Sequence, residues 1–204
     1  MKTVAVILAS GNGGKIGIPE ALLEYEKGKT FLRWLSSTFS KAGCEPIGVI
    51  PRGAEEIKDR HPDSLLVEDA QQDGGIRAGI RAALDEGADY IVLHPVERPA
   101  VRSSTIDKLL KELDGAEGVV PDFEGVPGQP VILTRQAAEK VLQMDGDARQ
   151  ISTIIPKLDL RRVTTRDPGV LVSLDTPEMY ERILGSKPHE APPPKKRTRK
   201  AEVT

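Results

Sequence analysis

Ala9-Ser10-Gly11-Asn12-Gly13-Gly14-Lys15-Ile16-Gly17 is the stretch of this sequence best equipped to hold an anion. Its glycines let backbone N–H groups approach a ligand closely, and Lys15 adds positive charge. A nucleotide's phosphates are the chemistry such a loop serves. Spacing excludes two familiar versions. A Walker A loop needs Ser or Thr after Gly-Lys, but Ile16 follows Gly14-Lys15, and its first glycine would fall on Ala9. A GxGxxG dinucleotide loop starting at Gly11 would need glycine at Ile16. Spacing alone therefore leaves open a glycine-rich turn with no ligand.

Other reactive side chains have plainer readings. Arg77, one turn into a helix, would reach a phosphate or pair with Asp73. His94 reads as a packed strand residue, and His61, before Pro62, as a surface residue. Cys44 is the only cysteine, with no partner for a disulfide and no nearby His for a metal site. It reads as a small buried hydrophobe in a reducing, cytoplasmic setting.

The loop follows Val4-Ala5-Val6-Ile7-Leu8, an apolar run that predicts a central strand and is far too short for a membrane span or a signal peptide. Further strands are expected at Pro46–Ile50, Ser64–Val67, Tyr90–Leu93, Gly118–Val120, Pro130–Leu133, Val163 and Val170–Ser173. Helices are expected at Thr30–Ala42, Ile76–Glu86, Ser103–Leu113 (N-capped by Ser103 or Ser104), Arg135–Met144 and Thr176–Leu184. Alternating strands and helices predict an α/β fold: a mostly parallel sheet with helices on both faces and ligands beyond the strand C-termini. Aromatics are only 3% of residues, so Val, Ile, Leu and Ala must build the core, which suits a buried parallel sheet.

With 204 residues the chain has room for one substantial domain, expected over residues 1–185. Residues 186–204 contain Pro192-Pro193-Pro194 and a Lys/Arg run, and are expected to be a disordered tail. That tail carries Lys187, Lys195, Lys196, Arg197, Arg199 and Lys200 against Glu190 and Glu202, a formal +4, which leaves −6 on the body of a chain at −2 overall. An acidic body argues against nucleic-acid binding, with weak contact left to the tail.

The motifs in series resemble the MobA/MocA-like nucleotidyltransferases. Ile7-Leu8-Ala9-Ser10-Gly11, Gly13, Lys15-Ile16-Gly17 and Pro19-Glu20-Ala21-Leu22-Leu23 are similar to that family's L-A-A-G-x-G-x-R-M-G-x-P-K-A-L-L. Gly74-Gly75-Ile76-Arg77-Ala78-Gly79-Ile80 resembles S-S-I-R-A-G-L. Leu93-His94-Pro95-Val96-Glu97-Arg98-Pro99 resembles L-x-P-V-D-x-P. Gly128-Gln129-Pro130-Val131 resembles G-H-P-V, and Asp175-Thr176-Pro177-Glu178 resembles D-T-P-E. The likeness covers about residues 1–184.

That resemblance implies a Rossmann-like three-layer α/β/α fold of the glycosyltransferase-A type. It implies transfer of a nucleotidyl group from CTP or GTP to a small phosphorylated acceptor, with release of pyrophosphate. Leu8, Ala9, Ser10, Gly11, Asn12, Gly13, Gly14, Lys15, Glu20, Gly75 and Arg77 would face the nucleotide. Lys15 and Glu97 would be catalytic, and Glu97 with Asp175 would hold Mg²⁺. Glu97 also reads as a solvated strand-end acid, and Asp175 or Thr176 as a helix N-cap before Pro177.

Five departures bear on activity. Glu20 stands where the family has lysine; opposite unit charges about 4 Å apart interact by about 4 kcal/mol at an effective dielectric near 20, so reversing that sign matters. Glu97 replaces an aspartate, which displaces its carboxylate by one methylene. Gly75 and Gln129 replace a serine and a histidine, and Lys15 loses the fork of an arginine. The resemblance therefore carries a second expectation: a catalytically degenerate nucleotide-binding or regulatory protein of the same fold.

Overall fold

The structure, a computed structural model, describes residues 1–71, 74–113, 115–144 and 150–193. In chain order its elements are β1 (Thr3–Leu8), β2 (Glu24–Glu26), β3 (Lys29–Thr30), α1 (Phe31–Lys41), β4 (Glu45–Pro51), α2 (Glu55–Arg60), β5 (Leu65–Asp69), α3 (Ile76–Asp85) and β6 (Tyr90–Pro95). They continue with α4 (Ser103–Lys111), β7 (Gly118–Phe123), β8 (Val126–Pro127), β9 (Val131–Thr134), α5 (Arg135–Gln143), α6 (Ile151–Ile154), β10 (Leu160–Thr164) and α7 (Pro177–Leu184).

The main sheet runs β10-β7-β9-β6-β1-β4-β5, with β8 folded back on β7. Most neighbours are parallel; β9 is antiparallel to both β6 and β7, so the sheet is mixed. Side-chain alternation on β1 divides the core. Ala5 and Ile7 point to the layer of α1, α4 and α7, where they meet Leu32, Leu35, Phe39, Ile106, Leu109 and Tyr180. Val4 and Val6 point to α3, α5 and α6, packing with Ile76, Ile80, Ala83, Ala138, Val141 and Ile154. Helix α3 lies so close to β1 that a Cβ at Gly79 would sit 2.2 Å from Val6 Cγ1, a distance only glycine allows.

The helix starts follow capping chemistry. Thr30, Thr134 and Thr176 each accept a hydrogen bond from the backbone N–H three residues on, and Pro177 opens α7 as its sequence predicts. Helix α4 departs from expectation. Neither Ser103 nor Ser104 caps it; the cap position is Arg102, with no side-chain cap bond, and the start of the helix is tied down from elsewhere in the chain. Asp167 Oδ2 accepts from Arg102 N–H at 3.0 Å and from Thr105 Oγ1 at 2.7 Å.

Two further expectations are corrected. Val170–Ser173 is not a strand: Pro168–Val170 is a 3₁₀ turn, fixed by Asp167 accepting from Gly169 N–H. The segment from Ser186 is not featureless through Pro193. Glu24 N–H donates to the His189 carbonyl and Ala191 N–H to the Leu22 carbonyl, both at 3.0 Å. Arg60 donates to the Ala191 carbonyl and pairs with Glu190 at 3.3 Å. This strap, whose backbone finds partners that its proline-rich composition does not advertise, crosses the segment after the glycine loop. The Lys/Arg run of the expected tail lies outside the described residues.

Candidate active site

The sheet order places a crevice by connectivity. The chain runs β1 to β4 to β5 on one side, then returns across to β6 on the other side of β1. Ligands bind outside the carboxyl ends at such a switch point. A cavity of about 720 Å³ opens there, lined by the strand ends Leu8, Pro51, Asp69 and Pro95. Ser10, Gly11 and Asn12 of the glycine loop, with Gly74, form one wall. Glu97, Arg98, Gln129 and Gln150–Ser152 line the rest. The volume lies within the usual range for small-molecule sites.

The glycine loop leaves β1 held by Ala9 N–H donating to the Val49 carbonyl at 2.8 Å. It then turns on Gly13, whose carbonyl accepts from Ile16 and Gly17 N–H at 2.9 Å each. Gly13 has φ +89°, and a Cβ there would lie 2.4 Å from the Ile18 carbonyl oxygen. Both facts demand glycine. Lys15 is exposed on the turn. The structure thus brings Leu8, Ser10, Gly11 and Asn12 to the cavity, while Ala9 is buried beside it and Gly13, Gly14, Lys15 and Glu20 lie along the loop but do not line it.

Glu20 opens a 3₁₀ turn, Glu20–Leu22, and its carboxylate folds back under the loop. Oε2 accepts from Gly13 N–H at 3.2 Å. Methyl groups built on Gly11 and Gly14 would meet the same carboxylate at 3.1 and 3.7 Å.

Glu97 stands in the turn after β6, half-buried and facing the cavity. Burial pushes its carboxyl above the usual carboxylate range, and the charges of Glu20 and Asp175 push it further the same way. Asp175 is exposed. It is tethered near Glu97 because Leu174 N–H donates to the Glu97 carbonyl at 2.7 Å. His94 is fully buried on β6, edge-on to Phe39, and does not line the cavity. Its Nε2 lies 2.8 Å from the Arg98 carbonyl, an acceptor only, so Nε2 carries the hydrogen. That bond clamps the turn bearing Glu97 and Arg98. Burial holds its pKa at about 4.

Gly75 caps α3 in a left-handed conformation, with a Cβ position 3.3 Å from Ser10 Oγ. Arg77 turns elsewhere and donates to the Met144 carbonyl at 2.9 Å. Asp73, its alternative partner, lies outside the described residues. Burial drives the Cys44 thiol up to about 12, which leaves it unreactive. His61 is a correction: it is 1% exposed and not on the surface, with Nε2 3.3 Å from Thr30 Oγ1.

Sequence reasoning missed several cavity residues as site candidates, among them Asp69, Arg98 and Gln150. Asp69 is the last residue of β5, and a strand read two residues longer would have placed it at the ligand edge. Arg98 sits beside Glu97 in the strand-end motif but was given no role, and Gln150 meets the cavity only through the fold.

Among the described residues, no cluster of three or more His, Cys, Asp or Glu side chains forms a metal cage. The donors available, Glu97 with Asp175 nearby, instead suit a cation completed by substrate phosphates. Mg²⁺ is bound in that way, through one or two carboxylates plus phosphate oxygens.

Comparison with known proteins agrees with this architecture. Residues 5–163 match the MobA-like NTP transferase domain. A probable molybdenum cofactor guanylyltransferase of Methanosarcina acetivorans is 33% identical, the alignment covering 89% of this chain and 90% of that protein. The bifunctional enzyme IspD/IspF of Sphingopyxis alaskensis is 29% identical over 71% of this chain but only 38% of its own length. In three dimensions the chain resembles Rv0371c of Mycobacterium tuberculosis H37Rv, solved in complex with manganese, at TM-score 0.70 and 23% identity. That alignment covers 91% of this chain and all of that one.

Proposed function

We propose that this chain, which belongs to the MobA-like NTP transferase domain family, moves a nucleotidyl group from GTP or CTP to a small phosphorylated acceptor. One observation carries the reading. The glycine loop and Glu97 leave adjacent parallel strands, β1 and β6, at the switch point and face a single cavity. An acceptor phosphate oxygen would attack the α-phosphorus, forming a new P–O bond as the bond to pyrophosphate breaks. Such transfer is accelerated chiefly by positioning and by charge placed where charge develops. Ser10, Gly11 and Asn12 would orient the nucleotide, and Arg98 would face its developing charge. Glu97, with Asp175, would hold a divalent cation, Mg²⁺ or Mn²⁺, which supplies neutralisation of phosphate charge. A raised Glu97 carboxyl fits a group that a cation would restore to its ionised form.

The guanylyltransferase name of the Methanosarcina relative supports GTP, and the manganese complex of the fold neighbour supports a divalent ion. A cytoplasmic setting is consistent with the buried, unreactive Cys44, and no described helix is long and apolar enough to cross a membrane. The second reading, a nucleotide-binding protein without chemistry, is favoured by the Glu20 carboxylate within the loop.

A thermal-shift comparison of GTP, CTP and ATP with and without Mg²⁺ or Mn²⁺ tests the binding half. A ligand at 100 times its Kd stabilises by about 2.7 kcal/mol. No shift with any pair refutes both readings. Pyrophosphate release in the presence of a phosphorylated acceptor separates transfer from binding alone.

A further inference from the structure

The cavity reaches Ser10–Asn12 and stops short of Gly13–Lys15. That stretch is the part of the loop an incoming phosphate would need, because its glycines free the backbone donors. The Glu20 carboxylate is already there. It accepts the Gly13 N–H at 3.2 Å and lies against Gly11 and Gly14 at the distances given above. A carboxylate resembles a phosphate's oxygens in the two features that matter here: it is anionic and an acceptor only. Its own sequence position supplies it, seven residues beyond Gly13 on the same loop.

We infer that Glu20 is the affinity-setting residue of this site, an internal anion that occupies the loop donor until a ligand phosphate displaces it. The inference rests on the nucleotide reading and deepens it. Ligands that reach Gly13 N–H must bring an anionic oxygen able to replace the carboxylate and tolerate its charge once it swings aside. Polyphosphates satisfy that demand better than neutral ligands do. The opposite role is a strut: a carboxylate that merely holds the loop in shape. The two roles predict effects of opposite sign.

The test compares the wild type with Glu20→Ala and Glu20→Gln, using calorimetric affinity for pyrophosphate, GTP and CTP at 50 mM and 500 mM salt. Circular dichroism and thermal melts establish that each variant is folded. An occupant predicts that Glu20→Ala tightens pyrophosphate binding at least tenfold at low salt and keeps part of the gain at high salt. Glu20→Gln loses the charge but retains an acceptor for Gly13 N–H, so its gain should be smaller and should fade as salt screens charge. The Gly13 amide should also lose its protection from hydrogen exchange in Glu20→Ala without ligand. Weaker or unchanged binding in Glu20→Ala, in a folded protein, overturns the inference in favour of a strut. A gain that vanishes entirely at high salt overturns it in favour of long-range repulsion. Pyrophosphate binding gained by the variants with no binding of GTP or CTP in any form keeps the inference and refutes the nucleotide reading. No binding of any probe overturns both.

Discussion

Acidification from pH 7 to pH 4.5 should destabilise this protein steeply, because it buries two neutral histidines. His61 and His94 are 1% and 0% exposed, and burial holds each near a pKa of about 4 against an ordinary 6.5. Arg33 and Arg60 add repulsion at His61, and Arg98 does so at His94. Among the described residues, the buried Nδ1 of each ring makes no hydrogen bond, although the Ala21 backbone partly offsets the cost at His61. The unfolded chain takes up protons first as pH falls, so stability from these residues is full above pH 6.5 and is lost between 6.5 and 4. A depression of about 2.5 units is worth about 3 kcal/mol per ring at 1.36 kcal/mol per unit. Two rings give a limiting slope of about 2.7 kcal/mol per pH unit, against a typical total stability of about 5–15 kcal/mol. Glu97 works the other way, since its raised carboxyl is relieved by protonation. Urea unfolding at half-unit intervals from pH 4.5 to 8 would measure the slope. Replacing His94 with Gln keeps an N–H for the Arg98 carbonyl without the titration, and His61→Asn removes the other ring. Each should remove about half the slope. A wild-type curve flat from pH 7 to 4.5, or variants with the parental slope, would refute the reasoning.

Three other expectations follow from the geometry. Gly13→Val places a side chain against the Ile18 backbone and forces an unfavourable positive φ, so nucleotide affinity should fall at least tenfold while the strand core keeps its circular dichroism; retained affinity would show that the loop does not bind phosphates. Glu97→Gln should abolish the Mg²⁺- or Mn²⁺-dependent part of nucleotide affinity in calorimetry, and an unchanged metal dependence would remove Glu97 from that role. Removal of residues 187–204 strips Leu22 and Glu24 of backbone partners and should cost about 2–4 kcal/mol, lowering Tm by roughly 5–10 °C in a chain of this size; an unmoved melting curve would show the strap to be energetically idle.

The strand-and-glycine-loop start, the alternation of elements and the strand-end position of Glu97 were legible because each is a local pattern. The helix cap at Thr176 is local in the same sense. What stayed hidden depends on residues far apart in the chain. Asp167 ties down the start of α4 across 65 residues, so no window around Ser103 could reveal it. Val170–Ser173 has a strand's composition, but Asp167 and Pro168 bend it into a turn. His61 precedes a proline and reads as exposed; its burial places it against Thr30 and Ala21, which are far away in sequence. The strap pairs through its backbone, which composition does not report. Charge reversal at Glu20 was visible as a departure, whereas the contact with Gly13 N–H required coordinates.

The strap also orders events in time. His189 meets Glu24 across 165 residues of chain. At a synthesis rate of about 5–20 residues per second, that separation is on the order of ten to thirty seconds on the ribosome. Throughout that interval Leu22 and Leu23, fully covered in the finished molecule, lack Tyr180 and the strap as neighbours. The residues of the glycine loop are thus made long before the strap that completes their surroundings. A nascent chain carrying this segment exposes a sticky leucine pair until its last partners are made.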